Sequence, residues 1–215
     1  MLKLIHTALD KIASFLFPAK CLGCRLGGEF LCMACRKKVR APCAGVPPGL
    51  EKLLSYGNYE NGILREALRR FKYHGTYDIT PTFAEMLEEL IRPHLGEAEG
   101  AVVIPIPISK ERLRERGYNQ AELLAQSLAE KISRPLENKV LLKIKNTPSQ
   151  TSLSGRERIL NVRDSFAVRN PEKISGREII LIDDISTTGA TLSEAARVLK
   201  QAGAKKVIGL VVARG

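Results

Sequence analysis

The segment from Ile179 to Leu192 constrains the fold more than any other part of the chain. It begins with four consecutive aliphatic residues, continues with Asp183 and Asp184, and then runs through Ser, Thr, Gly and Ala. Four aliphatic residues in a row predict a buried parallel strand, and we expect the two acids to end it. A helix is predicted over 192–201. In open α/β sheets, ligands bind where strands end and helix N-termini present their N–H groups.

The side chains and backbone of this loop suit a ribose 5-phosphate. Asp183 and Asp184 can accept hydrogen bonds from two ribose hydroxyls, and the residues after them offer hydroxyl and N–H groups that can surround a phosphate. These candidate ligands are Ser186, Thr187, Thr188, Gly189, Ala190 and Thr191. The loop lacks the Gly-Lys-Ser/Thr ending of a Walker P-loop. It resembles the loop that binds phosphoribosyl pyrophosphate (PRPP) in type I phosphoribosyltransferases. The alternative is an ordinary strand–turn–helix whose acids cap the helix.

Length and charge limit what the rest of the chain can be. Its 215 residues suit one sizeable domain plus a small module, and a 44% apolar fraction is enough for a packed core. The net charge of +11 favours anionic partners such as phosphates, nucleic acid or a membrane surface. Residues 1–52 carry nine basic and three acidic residues, which is more than half of the net charge in a quarter of the length.

The hydropathy pattern predicts neither a membrane span nor a secretion signal. No run of 18 apolar residues occurs, and Lys3, His6 and Asp10 interrupt any apolar core at the start of the chain. We therefore expect a cytoplasmic protein in which the cysteines stay reduced.

Four of the five cysteines form two C-x2-C pairs. They are Cys21, Cys24, Cys32 and Cys35. Two such pairs separated by seven residues suit a tetrahedral zinc site made of four thiolates. A segment this small has almost no core, so Zn2+ would supply its folding energy. A redox pair and an iron–sulfur cluster are the alternatives. Cys43 is left out of the predicted metal site and is interpreted as a buried thiol.

A basic run follows the last cysteine. Its cationic residues are Arg36, Lys37, Lys38 and Arg40. They form either a solvated charged face or a contact to a nucleic-acid backbone. Phe30 is the one aromatic residue nearby, so base stacking is not expected at this module.

Periodicity predicts how the chain is organised. Residues 2–17 form an amphipathic helix that either packs on the body of the protein or lies against a membrane or partner surface. The Pro- and Gly-containing segment 41–50 predicts a linker, which gives domains 1–50 and 51–215. Strands are expected at 53–59, 101–106, 140–144, 165–168, 179–182 and 207–212, and further helices at 63–71, 82–91 and 119–132. This alternation predicts an α/β fold with a parallel sheet and helices on both faces.

A second set of candidate phosphate ligands follows the strand at 101–106. Arg binds phosphate in a bidentate manner, and the dense Arg run from Arg112 to Arg116 ends at a glycine that lets the backbone turn. The candidates for a pyrophosphate are Arg114, Arg116, Gly117 and, from an earlier helix end, Lys72. The alternative is a charged helix with Glu–Arg pairs. His74 is interpreted as a surface histidine, and Asn119 as a helix cap.

The long polar segment 145–162 contains Gln150, Thr151, Arg156 and Arg158. A basic loop of this length either closes over a charged substrate as a lid or is an ordinary exposed loop.

The order of these motifs resembles the ComF family, and within it the ComFC-type competence proteins. The resemblance rests on the four-Cys module, Phe-Lys-Tyr-His-Gly at 71–75, Arg-x-Arg-Gly-Tyr-Asn-Gln-Ala at 114–121, Gln-Thr-x-Leu at 150–153 and the PRPP-type loop. It spans about residues 20–214. It implies a type I phosphoribosyltransferase-like fold with a zinc finger. It also implies a role in natural transformation, in which imported single-stranded DNA is handled on the cytoplasmic side, including at the inner face of the membrane.

The resemblance also implies ligands and partners. Asp183 and Asp184 would hold the ribose hydroxyls of PRPP, the loop at 187–191 its 5-phosphate and Arg116 its pyrophosphate, with Mg2+ bridging pyrophosphate and ribose oxygens. Single-stranded DNA and other DNA-uptake or recombination proteins are the expected partners. Thr187 stands where some purine-using relatives carry an acid, so no catalytic base is named. A metabolic phosphoribosyltransferase acting on an unknown acceptor, and a nucleic-acid-binding adaptor with a vestigial site, are the alternatives. Whether the chain is an enzyme stays open.

Overall fold

A parallel sheet in the order β1-β6-β5-β2 forms the centre of the fold. The strands in chain order are β1 (Lys52–Asn58), β2 (Val102–Pro105), β3 (Leu141–Lys143), β4 (Phe166–Val168), β5 (Glu178–Ser186) and β6 (Lys206–Arg214). Every pair in the four-stranded sheet is parallel, so the carboxyl ends of its strands meet at one end of the sheet. Loops that follow these strands are the usual place for a ligand site in such a sheet.

The computed structural model describes residues 19–42, 45–73, 77–97, 100–145 and 162–215. The helix predicted for residues 2–17, Cys43 and His74 lie outside the described residues. So does most of the predicted lid, with Gln150, Thr151, Arg156 and Arg158. None of the helices in the described ranges is long and apolar enough to cross a membrane.

Helices cover both faces of the sheet. They are α1 (Met33–Val39), α2 (Gly62–Tyr73), α3 (Thr80–Ile91), α4 (Lys110–Arg116), α5 (Gln120–Ile132) and α6 (Ala190–Gln201). Short 3-10 helices occupy Tyr77–Ile79, Arg92–Glu97 and Pro171–Lys173.

Strand β5 shows why helices are needed on both faces of the sheet. Ile180 and Ile182 pack in one apolar cluster with side chains of α2, α3 and α5. Ile179 and Leu181 pack in a second cluster with side chains of α6. Successive residues of a strand point to opposite faces, so the aliphatic run is buried on both. The predicted parallel α/β fold with helices on both faces is therefore confirmed.

The predicted end of β5 is wrong by several residues. Asp183 and Asp184 were expected to end the strand, but it continues to Ser186. The reason is the length of β6, because its last residues pair with Asp183, Ile185 and Ser186. The helix after the loop also begins earlier than predicted, at Ala190, with Gly189 as its N-cap.

Two predicted strands form a hairpin outside the central sheet. The segments 140–144 and 165–168 are extended as expected, but they pair antiparallel as β3 and β4. The Arg-rich run after β2 is the helix α4, and the Ser109 hydroxyl caps it by accepting a hydrogen bond from the Arg112 N–H at 3.3 Å. The alternative of a charged helix is therefore confirmed as its local structure.

The four-Cys segment packs directly on the sheet layer. Cys21, Leu31, Cys35 and Val39 are buried in the same apolar cluster as α2, α3 and α5. The contact is close, because a Cβ added at Gly57 of β1 would lie 2.3 Å from the Val39 carbonyl oxygen. A domain boundary near residue 50 remains a prediction.

Candidate functional site

A cleft of about 620 Å³ opens beyond the carboxyl ends of β1, β2 and β5. Of the residues predicted to bind a phosphoribosyl group, the cleft is lined by Lys72, Arg116, Asp183, Asp184, Thr187 and Thr191. Arg114 lies outside this lining and is exposed on α4. Segments far apart in sequence thus bring two carboxylates, two hydroxyl side chains and several cations to one end of the sheet.

The two acids of β5 have different surroundings. Asp184 is buried, and its Oδ2 lies 3.1 Å from Lys72 Nζ at the end of α2. Asp183 Oδ1 accepts a hydrogen bond from the Asp184 backbone N–H at 2.9 Å. Burial, together with the negative charge of Asp184, raises the pKa of Asp183 to about 7. Lys72 was predicted to contact an anion of the ligand, and here it balances the charge of Asp184.

The loop between β5 and α6 depends on one glycine. Gly189 has a φ of 79°, in the left-handed region, and a Cβ added there would lie 2.4 Å from Pro47 Cγ. The Thr188 hydroxyl accepts a hydrogen bond from the Ala190 N–H at 3.4 Å, which holds the turn into α6. The loop therefore packs against the segment that follows the four-Cys module.

Ser186 and Gly117 are not among the residues that line the cleft. The Ser186 hydroxyl is buried at the end of β5 and has no hydrogen-bond partner among the described residues. Gly117 has a φ of 79° and ends α4, where its N–H donates to the Leu113 carbonyl at 2.8 Å. Its role is to turn the backbone between α4 and α5.

The cations of the cleft come from three elements. Arg69 and Lys72 project from α2, Arg112 and Arg116 from α4, and Lys143 from β3. Lys143 Nζ donates to the Ser165 hydroxyl at 3.2 Å and lies 4.4 Å from the centre of the Phe166 ring. Burial, with repulsion from Arg112, lowers the pKa of Lys143 to about 8. Sequence reasoning missed Lys143, because only the docking of the β3–β4 hairpin brings it to the cleft.

The second site is the cluster of four cysteines. The sulfur atoms of Cys21, Cys24, Cys32 and Cys35 all lie within 4.8 Å of one another, and those of Cys24 and Cys32 are 3.6 Å apart. Zn–S bonds of about 2.3 Å in a tetrahedron separate neighbouring sulfurs by about 3.8 Å. The cluster therefore fits a metal ion such as zinc.

The pKa values of two of these thiols are shifted in opposite directions. Burial raises the pKa of Cys21, but hydrogen bonds from the backbone N–H groups of Cys32, Cys24 and Gly23 outweigh it and lower the pKa to about 6. Burial, with hydrogen bonds to the other thiols, raises the pKa of Cys35 to about 12. A cation at the centre of the cluster would favour the thiolate form of all four.

The basic run of the module divides into two groups. Arg36 is only 5% exposed, and its guanidinium donates to the Leu31 carbonyl at 2.9 Å and to Glu85 at 2.7 Å. The Arg36 side chain joins α1 to α3, and its contact with nucleic acid stays a prediction. Lys37 and Lys38 are exposed, and Arg40 lies over the Tyr56 ring at 5.7 Å.

Comparison with known proteins agrees with this geometry. Residues 116–215 match the family model described as the phosphoribosyl transferase domain. The chain is 27% identical to "Competence protein F" of Haemophilus influenzae over 89% of its own length and 95% of that protein. It is 38% identical to "Competence protein ComFC" of Bacillus subtilis over 66% of its own length and 56% of that protein. It is also 27% identical to "DNA utilization protein YhgH" of Salmonella typhi over 77% of its own length and 73% of that protein.

These findings define the chain in two steps. The sheet, the loop after β5 and the domain match make it a phosphoribosyltransferase-like protein. The names of its relatives then support a protein of the ComFC type, as the order of motifs predicted.

The cysteine geometry predicts the effect of losing one ligand. Cys24→Ser should lower the zinc content of the purified protein from one equivalent to well below half, because three thiolates bind zinc more weakly than four. Metal content measured by mass spectrometry checks this. Cys43→Ser is the matched control and should retain full zinc. Full zinc in Cys24→Ser as well would contradict the four-thiolate site.

The pKa of Asp183 predicts a pH-dependent effect on stability. The folded pKa lies above that of an unfolded Asp, so the folded state binds more protons between about pH 4 and pH 7 and loses stability as the pH rises through that window. Asp183→Asn removes this loss. Its free energy of unfolding, relative to that of the unmutated protein, should increase by about 1–3 kcal/mol from pH 5 to pH 8 in urea titrations.

The exposed Asp78 provides the control for this comparison. Asp78→Asn makes the same chemical change at an exposed position and is measured at the same two pH values. If Asp183→Asn changes the free energy of unfolding by the same amount at pH 5 and pH 8, the ionised carboxyl of Asp183 is not destabilised by its surroundings.

Proposed function

We propose that the cleft binds PRPP with Mg2+ and that the protein acts in the cytoplasm in natural competence, in the handling of imported single-stranded DNA. The main support is the convergence of Asp183, Asp184, Thr187, Thr191 and Arg116 on one cleft. The printed names of the relatives, "Competence protein" and "DNA utilization protein", support the biological role.

Each part of PRPP has a chemical counterpart in the cleft. Asp183 and Asp184 accept hydrogen bonds from the two ribose hydroxyls. The 5-phosphate would lie at the N-terminus of α6, beside its backbone N–H groups and near Thr187 and Thr191. Arg112, Arg116 and Lys143 are the cations available for the pyrophosphate. Mg2+, a hard cation, is held mainly by the oxygens of the ligand itself and neutralises its charge.

The arrangement also defines what the site would do in a transfer reaction. Loss of pyrophosphate from C1 leaves positive charge on the ribose, which carboxylates at its hydroxyls stabilise, while cations hold the leaving group. Transfer to an acceptor needs a further group that handles its proton, and Thr187 supplies no carboxylate for that step. Binding of PRPP is therefore the proposal, and transfer to a metabolic acceptor is the alternative.

We further propose that the four cysteines hold a structural Zn2+ and that the adjacent basic surface contacts DNA. Lys37 and Lys38 are exposed on α1, next to the cysteine cluster. With an overall charge of +11, such a surface attracts a phosphate backbone without selecting a sequence. Other DNA-uptake or recombination proteins are the expected protein partners.

Calorimetric titration with PRPP and Mg2+ tests the phosphoribosyl site. Asp183→Asn combined with Asp184→Asn should lower the affinity at least about 50-fold, because both acceptors of the ribose hydroxyls are weakened and the loss of a charged hydrogen bond costs about 1.5–3 kcal/mol each. The variant should remain folded. Glu115→Gln changes another carboxylate of the same cleft and serves as the control that retains binding. Equal affinity in the double variant and the control would refute the role of the two acids.

The salt dependence of DNA binding tests the basic surface. Lys37→Gln with Lys38→Gln should weaken binding of single-stranded oligonucleotides and reduce the slope of log affinity against log salt by about 1.4, at about 0.7 per lost phosphate contact. Lys139→Gln with Lys205→Gln makes the same change of charge at other exposed positions and should leave the slope unaltered. Equal slopes in the two double variants would place the DNA elsewhere.

A further inference from the structure

Two exposed tyrosines lie close to the cleft, since Tyr73 lines it and Tyr77 contacts the lining residue Tyr118. Tyr73 ends α2 with 66% of its surface exposed, and Tyr77 opens the following 3-10 helix with 50% exposed. The sequence offered no aromatic surface beside the cysteines. The fold instead places one beside the phosphoribosyl cleft, which Tyr73 itself lines.

Tyr77 is anchored to the core by other aromatic residues. Tyr77 packs edge-to-face on Tyr118, with ring centroids 4.6 Å apart. The Tyr118 hydroxyl donates to the Phe71 carbonyl, and the Phe71 ring packs on Phe83 in the core at 5.5 Å. These contacts hold the Tyr77 ring in place, so little side-chain entropy is lost at that ring when a planar ligand binds to it.

Cations adjoin the same surface. The guanidinium of Arg116 lies 5.4 Å from the centre of the Tyr73 ring, and no carboxylate among the described residues forms a salt bridge with it. Its guanidinium donates a hydrogen bond to the amide oxygen of Gln120 at 3.2 Å. Arg116 is therefore available to bind an anion.

Exposed aromatic rings beside unneutralised Arg are the two components that bind single-stranded nucleic acid. The rings stack on bases and the cations contact the phosphates between them. A free nucleobase would use the rings alone, since it carries no phosphate for Arg116. The combination therefore favours a nucleotide within a strand over an isolated base.

We propose that a base of single-stranded DNA stacks on Tyr73 and Tyr77 while Arg116 binds an adjacent phosphate, so that the strand crosses the mouth of the phosphoribosyl cleft. This inference rests on the proposed role in DNA handling and adds the surface and the mode of contact. It is independent of Lys37 and Lys38, which contact only phosphates.

The alternative explanation is that the two rings have only a structural role and cover the end of α2. In that case, loss of the Tyr73 ring would lower the stability of the protein, and the affinity for DNA would be the same with and without bases. Comparing a normal oligonucleotide with an abasic one separates the two, because both carry the same phosphates and only one carries rings.

The experiment measures fluorescence anisotropy of labelled 20-nucleotide oligo(dT) and of an abasic strand of equal length, without PRPP. The unmutated protein should bind oligo(dT) about 5- to 100-fold more tightly than the abasic strand. Tyr73→Leu should remove most of this preference while leaving the affinity for the abasic strand unchanged. Tyr73→Phe keeps the ring and should retain the preference. Thermal denaturation checks that both variants are folded.

Several results would overturn the inference. Equal affinity of the unmutated protein for the two strands excludes stacking, and so does a full preference in folded Tyr73→Leu. Loss of the preference in Tyr73→Phe would assign the contact to the hydroxyl instead of the ring. Failure to bind either strand would overturn both this inference and the DNA role. That outcome would not affect the proposal of PRPP binding, which calorimetry tests separately.

Discussion

The parallel pairing of β5 between β6 and β2 is the constraint on which the rest of the structure depends. Both faces of β5 are buried, so its aliphatic residues hold two layers of helices at fixed positions. The same pairing extends through Asp183 and Asp184 and therefore fixes where their carboxylates emerge. Two adjacent acids at low exposure repel each other, and Lys72 from α2 offsets part of that repulsion.

The cleft separates charge along its length. Asp183 and Asp184 both come from β5, whereas the cations come from α2, α4 and β3. A ligand with hydroxyls at one end and phosphates at the other matches this separation. The cost is that Lys143 lies partly buried beside Arg112, where its pKa is lowered, until an anion arrives. Binding of an anion should therefore favour the charged form of that lysine.

Local patterns were sufficient to predict the loop, α6 and the class of the fold, because an aliphatic run, a small-residue turn and helical periodicity are all short-range signals. The end of β5 could not be predicted, since it depends on how far β6 extends 25 or so residues later. Nor could the burial of Arg36, whose partner Glu85 is 49 residues away in sequence. The positions of Lys143 and the tyrosines beside the cleft could not be predicted either, because they depend on how β3 and α2 pack around it.

The cysteine segment buries its apolar side chains against elements that follow it in the chain. Leu31 and Val39 pack with residues of β1, α2 and α3, which extend to Ile91. A growing chain makes about 5–20 residues per second, so for several seconds on the ribosome these side chains have no surface to cover them. During that interval a metal held by the cysteines would be the main source of order in the segment. Zinc supply at the time of synthesis, more than in the finished protein, would then decide how much of the chain matures correctly.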